Sequence, residues 1–312
     1  MKLCTFEVKT HLGRRRRLGA MVDDEIVDVS FAFANMIGDY RLADVLAPCT
    51  MRGYLGRGAY PMIQEAVTKC VIIEGAEGET VRYRRDQVKL LAPLPDPVSV
   101  RDFYAFENHV RKGFEKRGEP MPDEWFQIPV FYRSGHENII GTDEEVKWPS
   151  FTEKFDYELE LAAVIGKRGK DVKAEDAREY IAGFTVMNDF SARDIQRKEM
   201  KVRLGPAKGK EWCTALGPYL VTADEIPDPY NLEMTARING EVWSRGNSRA
   251  MYWKFEQMIE FLTVDGVIHP GDVIGSGTVG TGCGLELDRW VKRGDVIELE
   301  IERIGVLRNR VV

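Results

Sequence analysis

The feature that most constrains the fold of this chain is a segment in which acidic and apolar residues alternate before an apolar run. It covers residues 155–166, and its acids are Asp156, Glu158 and Glu160. In a strand, the two-residue period puts these acids on one face and apolar side chains on the other. Three carboxylates on one face repel one another unless a cation lies among them, and their hard oxygen atoms suit Mg²⁺, Mn²⁺ or Ca²⁺. A solvated strand face is the alternative, although the apolar run indicates a buried strand.

A further acid stands at the end of a second predicted strand. Residues 181–187 form an apolar run that predicts a buried strand, and Asn188 and Asp189 follow it directly. Ligands are commonly bound beyond the ends of such strands, so Asp189 is a candidate for the same site. Arg193 and Gln196 come next, in a segment that predicts a helical turn.

Composition and charge narrow the classes of function. Hydrophobic residues make up 44% and charged residues 30% of the 312 residues, which is typical of a globular protein with a substantial core. The net charge is −6 and the basic residues are scattered, so we expect no nucleic-acid partner. The exception is the run of arginines at residues 14–17, which we interpret as a solvated turn rather than a phosphate-binding patch.

The cysteines and the apolar runs predict the compartment. Five cysteines stand far apart, without a CxxC motif or a histidine at zinc-ligand spacing, as expected for reduced thiols in the cytosol. No apolar run approaches the roughly 20 residues of a membrane span, and the first residues lack the apolar core of a signal peptide. We therefore expect a cytoplasmic protein with no membrane partner.

Proline spacing predicts the domain organisation. Residues 1–92 alternate short β-like segments with helical ones, which indicates a small mixed domain. Residues 93–99 carry three prolines at alternate positions, a pattern that favours a stiff extended linker. Residues 100–312 then form the larger domain. Within it, residues 112–150 are rich in Gly and Pro and predict a loop long enough to cover a site.

A histidine follows the linker. If residues 101–111 are helical, Asp102 and His109 lie on one face two turns apart. A lone histidine is more often a surface or core residue than a catalyst, so both interpretations stay open on this spacing alone.

The last third of the chain predicts strands and one helix. Asn239-Gly240 predicts a hairpin, and residues 254–262 have helical spacing. Residues 275–280 match the GxGxxG pattern, which requires a following helix to bind a dinucleotide. Because residues 283–287 and 296–301 alternate as strands do, we reject the dinucleotide site.

Residues 100–312 resemble the fumarylacetoacetate hydrolase family. The resemblance rests on five motifs taken together: Arg101-Asp102-Phe103-Tyr104 with His109, Asp156-Tyr157-Glu158-Leu159-Glu160, Asn188-Asp189-Phe190-Ser191-Ala192-Arg193-Asp194-Ile195-Gln196, Gly205-Pro206 with Lys210, and Pro270-Gly271-Asp272-Val273-Ile274-Gly275-Ser276-Gly277-Thr278. It implies an α+β, β-rich fold, in which a mixed β-roll surrounds a divalent metal beside a smaller N-terminal mixed domain, in a homodimer.

The resemblance also implies roles for individual residues. The metal ligands map to Asp102, Glu158, Glu160 and Asp189. The catalytic dyad maps to His109 and Glu286, and the donors to the reacting oxygen map to Arg193, Gln196 and Lys210. The residues that hold the substrate carboxylate map to Tyr104 and Thr278, while Asp156 has no assigned role. Animal fumarylacetoacetate enzymes have a tyrosine in place of Met200, and the spacing from Asp189 to Lys210 is one residue longer, which makes Lys208 the alternative.

The implied function is hydrolysis of a carbon–carbon bond in a small diketo acid, fumarylacetoacetate- or acylpyruvate-like, in aromatic or related catabolism. Mg²⁺, or Mn²⁺ or Ca²⁺, would be the cofactor. Two alternatives stay open. The same metal site also suits a 2-oxo acid decarboxylase, hydratase or isomerase, including a tautomerase, because all of these reactions proceed through an enolate. The non-enzymatic alternative is a metal-stabilised binding protein.

Overall fold

The computed structural model describes residues 1–10, 13–57 and 60–312. Strands among these residues are, in the first part of the chain, β1 (Lys2–Thr10), β2 (Gly13–Val22), β3 (Glu25–Asp28), β4 (Arg82–Arg84), β5 (Lys89–Leu90), β6 (Ser99–Phe103), β7 (Phe131–Ser134), β8 (Ile139–Ile140) and β9 (Glu145–Val146). The later strands are β10 (Phe155–Asp156), β11 (Leu159–Ile165), β12 (Gly169–Lys170), β13 (Ile181–Asp189), β14 (Ser191–Ala192), β15 (Thr214–Thr222), β16 (Glu233–Ile238), β17 (Glu241–Asn247), β18 (Val267–Ile268), β19 (Asp272–Gly275), β20 (Val296–Ile301) and β21 (Gly305–Val311).

Helices of the described residues are α1 (Val29–Ile37), α2 (Tyr40–Leu46), α3 (Met51–Tyr54), α4 (Tyr60–Thr68), α5 (Glu107–Arg117), α6 (Arg193–Lys201), α7 (Phe255–Thr263) and α8 (Gly284–Leu287). Short 3₁₀ helices lie at Arg85–Gln87, Asp123–Phe126, Ala177–Tyr180 and Ser248–Ala250. Among these helices, none is both long enough and apolar enough to cross a bilayer.

A large sheet carries the architecture. In the described residues it has twelve strands, with the main order β4-β3-β2-β1-β15-β13-β11-β19-β6-β7, while β5 pairs with β1 and β8 with β15. The first strands of the chain join the later ones through β1 and β15, where Leu3 pairs with Leu220. The strand-rich α+β fold expected from the sequence is confirmed. The boundary at residues 93–99 stays a prediction.

The two faces of this sheet bury separate sets of side chains. On β11, Leu161 and Ala163 belong to the core that also contains Met234 of β16 and Leu299 of β20. The intervening Ala162 and Val164 belong to the core beneath α1, α2 and α4. Successive side chains of a strand point to opposite faces, so β11 is buried on both sides and its apolar run is explained. Each fully buried Leu or Val side chain contributes about 1.5–3 kcal/mol.

The second sheet has the order β17-β16-β20-β21-β9. Its hairpin turns at Asn239-Gly240, as predicted, and both residues have positive φ angles, 52° and 79°. This conformation suits Asn and Gly and matches the twist of the two strands. The predicted helix near residues 254–262 is also found, as α7, which buries Phe255, Met258 and Ile259.

The segment at residues 155–166 differs from the prediction, because the chain forms two strands, β10 and β11, rather than one. At the break between β10 and β11, side chains replace the backbone hydrogen bonds that would pair two strands. The Tyr157 N–H donates to Asp156 Oδ1 at 3.0 Å, and the Glu158 N–H donates to Asn188 Oδ1 at 3.0 Å. Side chains of this kind compete with strand pairing for backbone donors, so the single-strand prediction was wrong at this point.

Three other local predictions were wrong, and one condition is not met. Asp102 and His109 do not share a helix, which was the condition for placing them on one helical face, because Val100 and Phe103 are buried in strand β6 and the helix begins at Glu107. Residues 283–287 contain the short helix α8 rather than a strand. The arginine run lies in β2, where Arg17 pairs with Asp28, rather than in a turn. Residues 112–150 contain part of α5 and three short strands rather than one long loop.

Candidate active site

Four carboxylates that lie far apart in sequence meet at the middle of the large sheet. Asp102 comes from β6, Glu160 from β11 and Asp189 from the end of β13, while Glu158 occupies the break before β11. The pairing of β19 with β6 and of β11 with β13 brings them together. One oxygen atom of each lies within 4.8 Å of the others, and all four residues are buried. We call this set the acid cluster.

Two buried cations face the acid cluster. Lys210 Nζ donates hydrogen bonds to Glu158 Oε2 and Asp189 Oδ2. Arg193 Nη2 lies 2.7 Å from Glu158 Oε1 and 2.7 Å from Asp156 Oδ2. Lys208, the alternative to Lys210, is exposed, with Nζ 3.9 Å from Glu211 Oε1. Five buried carboxyl groups, counting Asp156, therefore share two cations.

The excess of buried carboxyl groups over cations is reflected in the pKa values of the acid cluster. Burial, and then the neighbouring Asp102 carboxyl, raises the pKa of Glu160 well above its ordinary value. Burial likewise raises the pKa of Asp102 and that of Asp189. Burial acts in the same direction on Glu158, but Arg193 and Lys210 outweigh it and hold its pKa below the ordinary value. Without a further cation, the acid cluster therefore retains protons.

The residues present fit a hard divalent cation. The acid cluster offers carboxylate oxygens only, the donor type that Mg²⁺, Mn²⁺ and Ca²⁺ prefer. Asp189 Oδ1 is buried and has no hydrogen-bond partner among the described residues. A buried, unpaired carboxylate oxygen is costly, and a bound cation would satisfy it. The four acids can thus bind an ion, and the identity of that ion is a matter for proposal.

A tight turn holds two of these carboxylates in place. The Gly277 N–H donates to Asp102 Oδ1 and to Glu160 Oε2, both at 3.2 Å. Gly277 has a φ of 79°, and a Cβ atom there would collide with the backbone at Phe103. Only glycine adopts this conformation without strain at such a close approach. Thr278 Oγ1 donates to Glu160 Oε1 at 3.3 Å, so Thr278 contacts the acid cluster directly.

The predicted dyad is assembled beside the acid cluster. His109 Nδ1 of α5 lies 2.6 Å from Glu286 Oε1 of α8. Glu286 Oε2 accepts a hydrogen bond from the Thr281 N–H at 2.9 Å. Burial opposes ionisation of Glu286, but its hydrogen bond to His109 and the charge of His109 outweigh it and lower the pKa of this carboxyl. We assign the Nδ1 proton to the hydrogen bond with the carboxylate, which leaves Nε2 as the basic nitrogen.

A backbone bridge places the dyad next to the acid cluster. Glu158 pairs with Cys283 in an antiparallel bridge, three residues before Glu286 in the chain. The Leu159 N–H donates to the Gly282 carbonyl at 3.0 Å and continues this contact. A protonated His109 would be close enough for its charge to favour ionisation of Glu158. The base and the candidate metal ligands therefore belong to one site.

Asp156 connects the remaining parts of the site. Its carboxylate accepts hydrogen bonds from the Gly284 N–H at 2.8 Å, the Leu285 N–H at 3.0 Å and Arg193 Nε at 2.8 Å. The first two donors open the short helix that carries Glu286. Asp156 thus fixes both the guanidinium group and the carboxylate partner of the histidine.

The other two predicted site residues lie at the edge of this arrangement. Gln196 Oε1 accepts a hydrogen bond from Arg193 Nη1 at 3.1 Å. Tyr104 packs edge-on against the His109 ring, with 5.3 Å between ring centroids, and burial raises the pKa of its hydroxyl to about 12. Trp125 Nε1 donates to the Tyr104 carbonyl at 2.7 Å and anchors this residue.

Sequence reasoning missed Tyr132 and Cys283. Tyr132 is half-buried, and its hydroxyl donates a hydrogen bond to Asp189 Oδ2. Cys283 Sγ lies 3.6 Å from Glu286 Oε1. Tyr132 belongs to β7, within the segment predicted to be a loop, and an alternating pattern of only four residues gave little signal there.

Comparisons with known proteins identify the family of the chain. The family model for the C-terminal domain of fumarylacetoacetate (FAA) hydrolase matches residues 99–312. The mitochondrial oxaloacetate tautomerase FAHD2A of Homo sapiens is 38% identical over 237 residues, which is 73% of this chain and 71% of the relative. The oxaloacetate tautomerase YisK of Bacillus subtilis is 30% identical over the whole of both chains.

A solved structure shares the fold over nearly the full length. The fumarylacetoacetate hydrolase of Exiguobacterium antarcticum superimposes with a TM-score of 0.73 and 25% identity, over 99% of each chain. The relatives thus include proteins named as tautomerases and a protein named as a hydrolase.

Proposed function

The chain belongs to the fumarylacetoacetate hydrolase family, and from this premise we propose that it is a metal-dependent tautomerase of a small 2-oxo acid. The substrate class is a 2-oxo dicarboxylic acid, and oxaloacetate, which the names of the relatives carry, is the first compound to test. The observation that carries the proposal is the His109–Glu286 hydrogen bond of 2.6 Å beside four buried carboxylates. We propose Asp102, Glu158, Glu160 and Asp189 as the metal ligands and Mg²⁺ or Mn²⁺ as the metal.

The metal supplies one element of the chemistry. A divalent cation among these oxygens would act as a Lewis acid that makes the C–H bonds beside a 2-oxo group more acidic. In the same position the divalent cation would compensate the negative charge of the acid cluster, because the buried carboxyl groups outnumber Lys210 and Arg193.

His109 moves the proton. Nε2 takes a proton from the carbon beside the carbonyl, and the electron pair of that C–H bond becomes the carbon–carbon double bond of the enol. The imidazolium then returns the proton to the former carbonyl oxygen, so that no water or other reactant is consumed. Glu286 stabilises the imidazolium through Nδ1, and a positioned base of this kind contributes about 10²–10⁴-fold in rate.

Other residues bind and orient the substrate. We propose that Tyr104 and Thr278 contact a substrate carboxylate, as the family resemblance implies. Tyr104 packs against the His109 ring, so a group bound there would lie beside the base. Trp125 donates a hydrogen bond to the Tyr104 carbonyl and so helps to hold Tyr104 beside the base.

Carbon–carbon hydrolysis, the function expected from the sequence, is the second candidate. The fold shared with the fumarylacetoacetate hydrolase of Exiguobacterium antarcticum favours it. The names of the relatives favour tautomerisation over it, because the human and Bacillus subtilis relatives are named as oxaloacetate tautomerases.

A substrate panel separates the candidates. Freshly prepared enol oxaloacetate and several acylpyruvates are given to the protein with Mg²⁺, and parallel samples contain a chelator. We expect accelerated loss of the enol absorbance, without new carboxylic acid products, and we expect the chelator to abolish it. Release of two products from an acylpyruvate, with no acceleration of ketonisation, would replace tautomerisation by hydrolysis. The binding-protein alternative predicts neither reaction.

A further inference from the structure

A cluster of three side chains beside the acid cluster combines nitrogen, sulfur and oxygen donors. It consists of His109, Cys283 and Glu286, one donor atom of each lying within 4.8 Å of the others. His109 is 6% and Cys283 0% exposed, and the Glu286 side chain is 5% exposed. We infer that these residues form a second metal site, selective for Zn²⁺ and similar thiophilic cations, and that occupation of this site inhibits the enzyme.

The distances are close to those of a tetrahedral site. With Zn–S and Zn–O bonds of about 2.3 and 2.0 Å, tetrahedral geometry puts sulfur and oxygen about 3.5 Å apart. Cys283 Sγ and Glu286 Oε1 are 3.6 Å apart. His109 Nδ1 and Glu286 Oε1 are 2.6 Å apart and have to separate to about 3.3 Å. The change is under 1 Å, and a water molecule would complete the coordination.

The proton balance of binding leaves a neutral site. The Cys283 thiol loses its proton to solvent and becomes a thiolate. The imidazole proton moves from Nδ1 to Nε2, so that Nδ1 binds the metal, and Glu286 binds as a carboxylate. Three coordinate bonds form, and the two negative charges match the divalent cation. A neutral assembly avoids the large cost of an unpaired charge in a buried position.

Ligand chemistry distinguishes this site from the acid cluster. Thiolate and imidazole suit Zn²⁺, Co²⁺ and Cd²⁺, whereas Mg²⁺ prefers carboxylates and water. The acid cluster has neither a sulfur nor a nitrogen donor among its four members. A solution that contains both kinds of cation would therefore load Mg²⁺ at the acid cluster and the thiophilic cation at the dyad.

Inhibition follows from the tautomer of the histidine. When Nδ1 binds a metal, Nε2 carries the remaining proton and has no lone pair to accept another. Glu286 is also withdrawn from its partner. The inhibition rests on the proposed function, because it assumes that His109 is the base, whereas the binding site does not depend on that assumption.

Binding is tested by spectroscopy, with Co²⁺ and Cd²⁺ as the probes. The protein is saturated with Mg²⁺ and titrated with either probe, while thiolate-to-metal charge-transfer absorbance is recorded. We expect one such band per chain, absent in Cys283→Ser and retained in Cys213→Ser, which alters another buried thiol. Glu160→Gln, which changes the acid cluster, should keep the band. Absence of the band, or an equal band in Cys283→Ser, would overturn the site.

A second variant tests the site independently of whether Cys283→Ser folds. His109→Gln keeps the thiol and removes one ligand, and we expect at least a tenfold weaker affinity for Cd²⁺. An unchanged affinity counts against the site.

For the inhibition, each variant is compared with its own zinc-free rate. We expect Zn²⁺ to inhibit the Mg²⁺-loaded wild type, and Cys283→Ser to need at least tenfold more Zn²⁺. A bound probe without inhibition by Zn²⁺ would refute the inhibition alone, whereas a bound probe in a protein without tautomerase activity would refute the proposed function alone.

Discussion

At the scale of single residues, the site is organised by cations and donors that each contact more than one acid. Lys210 contacts Glu158 and Asp189, and Arg193 contacts Asp156 and Glu158. Loss of either cation would remove one partner from two buried carboxylates, which is more costly than loss of an exposed pair.

The dyad gives a prediction about pH. Glu286 has a lowered pKa in the folded protein, so its ionised form stabilises the fold. This contribution is fully present above the ordinary pKa of a glutamate and is lost as the pH falls through the folded value. We expect Glu286→Gln to lower the free energy of unfolding at neutral pH by about 1.5–3 kcal/mol, the typical contribution of a hydrogen bond to a charged group. Urea unfolding at a series of pH values measures the difference, which should shrink in acid.

Glu137→Gln is the matched control. Glu137 also faces a histidine, with Oε1 3.6 Å from His136 Nε2, but both side chains are exposed. This variant should show little difference from the wild type at any pH. A destabilisation by Glu286→Gln that stays constant from neutral to acid pH would show that charge is not its cause.

At the scale of elements, the short helix α8 depends on the carboxylate of Asp156. Four helical residues have little stability alone, because nucleation is costly. Asp156 accepts hydrogen bonds from the first two N–H groups of α8 and also pairs with Arg193. The position of Glu286 in α8 is therefore set by a residue far away in the sequence.

Substitution of Asp156 should loosen this helix. Asp156→Asn keeps the shape and removes the charge, so Arg193 loses one of its two buried partners. We expect a loss of about 3 kcal/mol in the free energy of unfolding, as for other broken buried pairs. Faster hydrogen exchange at Gly284 and Leu285 should accompany it.

Asp143→Asn supplies the comparison for that variant. Asp143 pairs with Arg308 at 2.7 Å and with Arg85 at 3.7 Å on the surface, where each pair contributes about 0–1 kcal/mol. Equal effects of the two substitutions, or unchanged exchange at residues 284–287, would contradict the role given to Asp156.

The elements also show what the sequence could and could not predict. The Asn239-Gly240 turn is a local pattern and led to a hairpin that the structure contains, whereas the alternation before Glu160 spans the break between β10 and β11. A helix shared by Asp102 and His109 was considered, because the spacing of seven residues is also a local pattern. The strand of Asp102 is fixed by pairing with β19, which lies about 170 residues later, where Gly275 pairs with Asp102. Such distant pairing leaves no trace in a short window of sequence.

The residues of the site also divide into those that a local sequence pattern predicts and those that it does not. The acids at 158, 160 and 189 could be proposed from alternation and from the end of a strand. The dyad entered through the family resemblance alone, because its members are 177 residues apart. Tyr132 and the role of Asp156 depend on side-chain contacts between elements, which no local pattern indicates.

At the scale of the whole molecule, the acid cluster links stability to metal and pH. The raised pKa values of Asp102, Glu160 and Asp189 mean that, above the ordinary carboxyl range, these groups bind more protons in the metal-free folded protein than in the unfolded chain. The stability of the metal-free protein therefore falls as the pH rises above the ordinary carboxyl range. A bound cation replaces these protons, so the stabilisation by the metal should increase as the pH rises.

Melting temperatures between about pH 5 and pH 8, with Mg²⁺ or with a chelator, measure this linkage. At a Mg²⁺ concentration of about 100 times the dissociation constant, the stabilisation should reach about 2.7 kcal/mol. Glu160→Gln should reduce it, whereas Glu298→Gln, outside the cluster, should not. Stabilisation that is independent of pH would exclude the proposed exchange of protons for metal.

The homodimer and the cytoplasmic location expected from the sequence remain predictions.

The most direct test of the central claim is proton exchange at carbon. A 2-oxo dicarboxylic acid is incubated in heavy water with the Mg²⁺-loaded protein, and NMR follows replacement of the C3 protons by deuterium. We expect rapid exchange with the wild type and with His136→Gln, and a rate about 10²–10⁴-fold lower with His109→Gln at equal bound metal. Exchange at the wild-type rate in His109→Gln would contradict the account, because the proton would then move without the proposed base.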